Sequence, residues 1–139
     1  MTREQTDNKN GNNAKQHRFI EFIEKNCLNL SRQNLTDKDI PELTKFLFEN
    51  PDITTLNLSL NNIGDRGIAD FAERNQTIVQ LNFSGNNISD DGLAVFAYKN
   101  QVVKQANFSH NMISHKGITN FAKINEICFT SQFSQTQLH

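Results

Sequence analysis

The sequence predicts an α/β protein in which one strand and one short helix recur. The strands form a parallel inner sheet and the helices an outer layer. Three observations carry this. A shift of 25 residues places like on like: Leu56, Leu81 and Ala106; Leu58, Phe83 and Phe108; Asn61, Asn86 and Asn111; Ile63, Ile88 and Ile113; Gly67, Gly92 and Gly117; Phe71, Phe96 and Phe121. Within each copy a two-residue alternation gives way to helical spacing. A lone strand and helix cannot bury their own apolar faces, so the copies must stack into a solenoid.

The elements follow in order. Residues 1–16, "MTREQTDNKNGNNAKQ", lack large apolar groups and read as a disordered leader or an expression remnant, without the apolar core of a secretory signal. Residues 17–26, "HRFIEFIEKN", place Phe19, Ile20, Phe22 and Ile23 on one helical face and predict an N-terminal capping helix over the first repeat. A partner-binding amphipathic helix is the other reading of that segment. The solenoid then occupies 27–139, as four repeats (27–52, 53–77, 78–102, 103–127) and a truncated last unit (128–139). The first repeat is offset by 28: Leu28, Leu30, Leu35 and Ile40 map to Leu56, Leu58, Ile63 and Ile68.

Within a repeat, Thr55 to Ser59 alternate polar and apolar, as in a strand. About Asp65 to Arg74, the residues Ile68, Phe71 and Ala72 recur at helical spacing. Thr36, Ser89 and Ser114 suit helix N-caps, because a side-chain oxygen can accept from a free backbone N–H. Asp37, Asp65, Asp90 and Asp91 sit in first turns, where the helix dipole favours negative charge. His115 and Lys116 replace those acids in the last full repeat, which predicts a weaker helix start there. Asn61, Asn86 and Asn111 fall at the corner after each strand, where their amides can bond backbone groups left unpaired by the bend. Gly67, Gly92 and Gly117 at the helix starts permit close approach of helix to sheet, or answer a backbone need for glycine. In the last unit, Ser131, Phe133 and Leu138 map onto Leu56, Leu58 and Ile63, and Cys128 takes the core position of Ile53.

These residues resemble the leucine-rich repeat family. The pattern Leu-x-x-Leu-x-Leu-x-x-Asn-x-Leu matches "ITTLNLSLNNI" (53–63), "IVQLNFSGNNI" (78–88), "VKQANFSHNMI" (103–113) and, more loosely, "KNCLNLSRQNL" (25–35). The following GxxxF looks like the helix-containing, ribonuclease-inhibitor-like class. The departures are Gln33 for the corner Asn, Ala106 for a core Leu, and Thr136 for the last Asn. The resemblance implies a right-handed horseshoe working through its concave face.

The outward strand positions are therefore the ones to read for function. They are Asn29 and Ser31; Thr55, Asn57 and Ser59; Gln80, Asn82 and Ser84; Gln105, Asn107 and Ser109; Thr130, Gln132 and Ser134. The column Asn29, Asn57, Asn82 and Asn107, with Gln80 and Gln105 beside it, can hydrogen-bond a partner; the plainer reading is small solvated residues with no target. Leu60, His110 and Met112, just past the strands, are better contact candidates than serine.

Chemistry is not expected. His110 and His115 have no carboxylate or thiol at ligand spacing, the serines lack a nucleophile-elbow context, and "NNIGDRG" lacks the lysine of a phosphate loop. No cofactor and no metal is expected. A net charge of −1, from 14 basic and 15 acidic residues, gives no pull toward nucleic acid or an anionic membrane. Apolar runs last only a few residues, against the roughly 20 needed to cross a bilayer. Cys27 and Cys128 form no disulfide framework, so a reducing, cytoplasmic compartment is the default. The expected function is a non-enzymatic protein-interaction module with a protein partner. The alternatives are a recognition or targeting fragment of a larger enzyme or secreted effector, and self-association as a homodimer through the C-terminal edge. The 20 asparagines resemble the usage of AT-rich genomes, including intracellular bacteria whose effectors act in a host cytoplasm.

Overall fold

The computed structural model describes residues 18–124. Five strands lie in one sheet, in the order β1 (Ile23–Glu24), β2 (Cys27–Asn29), β3 (Thr55–Asn57), β4 (Gln80–Asn82) and β5 (Gln105–Asn107). Strand β1 pairs antiparallel with β2, and β2 to β5 are parallel. A short 3-10 turn (Asp37–Asp39) leads into helix α1 (Ile40–Glu49). Helices α2 (Asp65–Arg74), α3 (Asp90–Lys99) and α4 (His115–Ile124) follow the next three strands. This is an open α/β solenoid, one strand and one helix per turn.

The register carries the sequence repeat into space. Leu28 pairs with Leu56, Leu56 with Leu81, and Leu81 with Ala106. All four are buried, as are Leu30, Leu58, Phe83 and Phe108 on the same inner wall. The helices return Ile40, Ile68 and Leu93, then Leu43, Phe71, Phe96 and Phe121, to the same core. Phe96 packs at 5.2 Å on Phe108 and lies nearly parallel to Phe121 at 6.3 Å. Each such side chain contributes about 1.5–3 kcal/mol on leaving water, which no isolated repeat could gain.

The N-terminal cap differs from the expected helix over 17–26. Of its described residues, 18–20 are helical, Ile23–Glu24 are a strand, and a tight turn with Lys25 at φ +59° leads back into β2. The reason is the unpaired edge of β2. The Asn29 N–H donates to the Phe22 carbonyl at 3.0 Å, a bond that a continuing helix would forgo. The capping role falls mainly on Phe19, which is buried and meets Phe46 edge-on at 5.4 Å, while Ile20 is exposed. Arg18 ties this segment down by donating to Asp39 and Glu42. The leader 1–16 and the truncated unit 128–139, with Cys128, Thr130, Gln132, Ser134 and the C-terminal edge, lie outside the described residues.

At the helix starts the acids do more than favour a dipole. Asp65 Oδ1 accepts from the Ser89 N–H at 2.8 Å, and its Oδ2 accepts from the Ser89 hydroxyl at 2.5 Å. Asp90 does the same to Ser114, and Asp37 accepts from the Gly64 N–H at 2.7 Å. Asp37, Asp65 and Asp90 thus each hold the cap of the next helix. This also decides between the two readings of the glycines. A Cβ at Gly92 would strike Asp65, and one at Gly117 would strike Asp90. At Gly67 it would strike Asp37 and, at 2.7 Å, Ile63. The close approach is mainly to the preceding helix start, and these glycines have no positive φ. In α4 the acid is replaced by His115, and the Gly117 N–H donates to the Ser114 hydroxyl at 3.3 Å.

Candidate functional site

The concave face is built from the outward positions of β2 to β5. Cys27, Thr55, Gln80 and Gln105 form one row by register; Asn29, Asn57, Asn82 and Asn107 form the next. A shallow depression of about 330 Å³ lies on this face. Its lining among the described residues runs from Cys27 to Asn107 across all four parallel strands and includes no charged side chain.

The first row is knitted together. The Thr55 hydroxyl donates to Gln80 Oε1 at 3.1 Å, and Gln80 Nε2 donates to Gln105 Oε1 at 2.9 Å. The second row is not cross-linked. Each Asn folds back on its own chain: Oδ1 of Asn57, Asn82 and Asn107 accepts from the N–H of Ser59, Ser84 and Ser109, each at 2.9 Å, and Asn29 accepts from Ser31 at 3.1 Å. Because a backbone N–H can only donate, these bonds fix which amide atom is oxygen. The four Asn are therefore turn-forming residues as well as surface ones, a role neither the partner-binding nor the solvated reading included.

Leu60 and His110 lie at the rim, at φ +59° in both, and Arg32 and Gly85 occupy the same position at +58° and +71°. The chain makes the same left-handed turn in all four repeats, and only Gly85 suits it. For a non-glycine residue that conformation costs roughly 1–2 kcal/mol. Leu60 is 46% exposed, and its side chain leans over Gly85, where a Cβ would meet Leu60 Cδ2 at 2.6 Å. Met112 is 54% exposed, and His110 is exposed too. The structure thus brings Asn57, Asn82, Asn107, Gln80 and Gln105 onto one depression. Leu60, His110 and Met112 form a separate rim.

Two further features carry no motif in the sequence. Cys27 lines the depression, and the 28-residue offset that aligns Leu28 with Leu56 would have placed it beside Thr55. Burial first, and Glu24 second, push its thiol above the ordinary value, which keeps it protonated. The other is a further asparagine series at the helix ends. Asn75 and Asn100 accept two backbone N–H groups each and donate to the Ile78 and Val103 carbonyls. The same 25-residue shift reveals it.

Comparison with known proteins bears on the fold. No curated protein matches the sequence. Among solved structures, a fragment described as "Leiomodin-1 Actin-Binding Site 2 (ABS2)" superposes with a TM-score of 0.63 at 16% identity, covering 88% of this chain and 80% of that one. At that identity the likeness is one of fold. The family model described as "Leucine Rich repeat" matches residues 49–72 and 74–97. Two leucine-rich repeats are therefore present, and they fall on the second and third turns of the solenoid.

Proposed function

We propose that the chain is a non-enzymatic protein-interaction module that binds a partner protein through its concave face and adjoining loops. The observation that carries this is the preformed depression on the parallel sheet, lined by Asn57, Asn82, Asn107, Gln80 and Gln105 among others. The sheet stands on a buried apolar core, so little conformational entropy is lost when a partner docks. Asn29 extends the same row, and Leu60, His110 and Met112 supply exposed apolar and aromatic contacts at the rim. The leucine-rich repeats, and the likeness of fold to a fragment described as an actin-binding site, support a protein-binding role. Actin itself is not carried over at 16% identity.

Assignment to the ribonuclease-inhibitor-like class belongs to the same proposal, supported by the ten-residue outer helix in each repeat. A reducing, cytoplasmic setting suits the free thiol of Cys27.

Site-specific photo-cross-linking tests the surface. A photoreactive residue at Gln80 or Gln105 is expected to capture the partner, and one at Glu73 or Lys99 on the outer helices is not. Capture from the helices alone would move the site to the convex face.

A further inference from the structure

We propose that the concave depression is a hydrogen-bond-donor face that takes an uncharged, extended segment of a partner protein through its carbonyl oxygens. This rests on the concave-face reading and specifies the partner's chemistry.

The argument is an inventory of donors and acceptors. In the second row, each Asn commits its Oδ1 to a backbone N–H, while no Nδ2 of Asn57, Asn82 or Asn107 meets an acceptor among the described residues. In the first row, the oxygens of Gln80 and Gln105 are each engaged by a neighbour, and Gln105 Nε2 meets no acceptor among the described residues. An amide nitrogen brings two donors, so the depression presents a surplus of N–H groups. The parallel ladder engages β3 and β4 on both edges, and β5 on its β4 side. Among the described residues, no charged side chain lines the depression. A charged ligand would lose hydration there without gaining a counter-charge, whereas a neutral carbonyl meets a waiting donor. Neighbouring strands lie about 4.8 Å apart, so the three Asn donors span roughly three residues of an extended chain crossing the strands.

The test uses the full chain and a capped neutral peptide, acetyl-Ser-Gly-Ser-Gly-Ser-amide, followed by side-chain amide NMR shifts. The same peptide carrying one Asp or one Arg serves for comparison, and cellohexaose represents a neutral glycan. Saturable shifts at the Nδ2 groups of Asn57, Asn82 and Asn107 are expected with the neutral peptide. Its affinity should change less than about twofold between about 50 and 500 mM salt, because no ion pair is screened. Asn82→Asp retains the acceptor for the Ser84 N–H but removes the donor, and is expected to weaken binding at least about tenfold with the fold unchanged. Asn57→Asp gives the same reading at a second position. Equal affinity in both Asp variants, preference for a charged peptide, or shifts with cellohexaose alone would overturn the donor inference while leaving a concave site. Shifts confined to the outer helices would remove the concave site itself, and no shift with any probe overturns the donor inference.

Discussion

Two columns of asparagine run along this solenoid, four residues apart in each repeat, and they hold opposite positions. Asn61, Asn86 and Asn111 are buried at the corner after each strand. Asn57, Asn82 and Asn107 are half-exposed on the concave face. Asn86 is saturated at both ends. Its Nδ2 donates to the carbonyls of Leu58, Phe83 and Ser84, and its Oδ1 accepts from the Ile63 N–H. Leu58 and Phe83 each serve two neighbouring asparagines, so the inner column is continuous along the stack. Among the described residues, the outer column uses only its acceptors. One amide, placed on two sides of the same strand end, is scaffold in one case and surface in the other. Burial decides which, because an unpaired amide is costly inside and nearly free of cost in water.

The most severe way to break this contrast is one substitution made in both columns. Asn86→Asp places a carboxylate against three carbonyl oxygens and is expected to cost about 3–5 kcal/mol in chemical denaturation. Asn82→Asp keeps its one bond and should stay within about 0.5 kcal/mol of wild type. Comparable losses in the two would refute the division of roles. Asn86→Ala comes next, at about 1–3 kcal/mol, because the Ile63 N–H loses its acceptor in a buried site. Asn82→Ala leaves only the Ser84 N–H to water, and a shift of about 0.5–1.5 kcal/mol in the same denaturation series is expected.

A surface ion pair sets the bottom of the scale. Burial of Asp39 raises its pKa, but the Arg18 guanidinium and the Thr36 backbone N–H outweigh it, and the carboxyl titrates below its ordinary value. A depressed folded pKa means that Asp39 contributes stability above the unfolded value, near 3.9, and that this fades as pH falls through the folded one. Arg18→Ala is therefore expected to cost at most about 1 kcal/mol at neutral pH, the pair being 40% exposed on the arginine side. The difference in thermal midpoint should narrow below about pH 4. A gap that stays constant down to pH 2 would show that Arg18 acts through packing on Phe19 instead, its guanidinium lying 4.9 Å from that ring.

What the sequence by itself determined is the repeat and everything periodic with it. Shifts of 25, and of 28 for the first turn, aligned the core residues and the corner asparagines, and apolar spacing gave the helix Asp65–Arg74 at its observed bounds. Apolar spacing and backbone satisfaction are local requirements, so the sequence must state them in every copy. Tertiary structure alone decided what depends on which copy stands next to which. Asp65 reaches Ser89 only because helix starts stack, and that contact, more than the sheet, explains Gly92. Residues 17–26 carry a helical apolar pattern, yet Ile23–Glu24 became a strand because β2 offered an unpaired edge. The left-handed turn at Leu60 and His110 was likewise hidden, since only Gly85 declares it. The concave row looked like a set of free side chains until the Ser N–H groups claimed its oxygens. A single sequence records each residue's own preferences; the neighbours that complete its hydrogen bonds appear only when the turns are stacked.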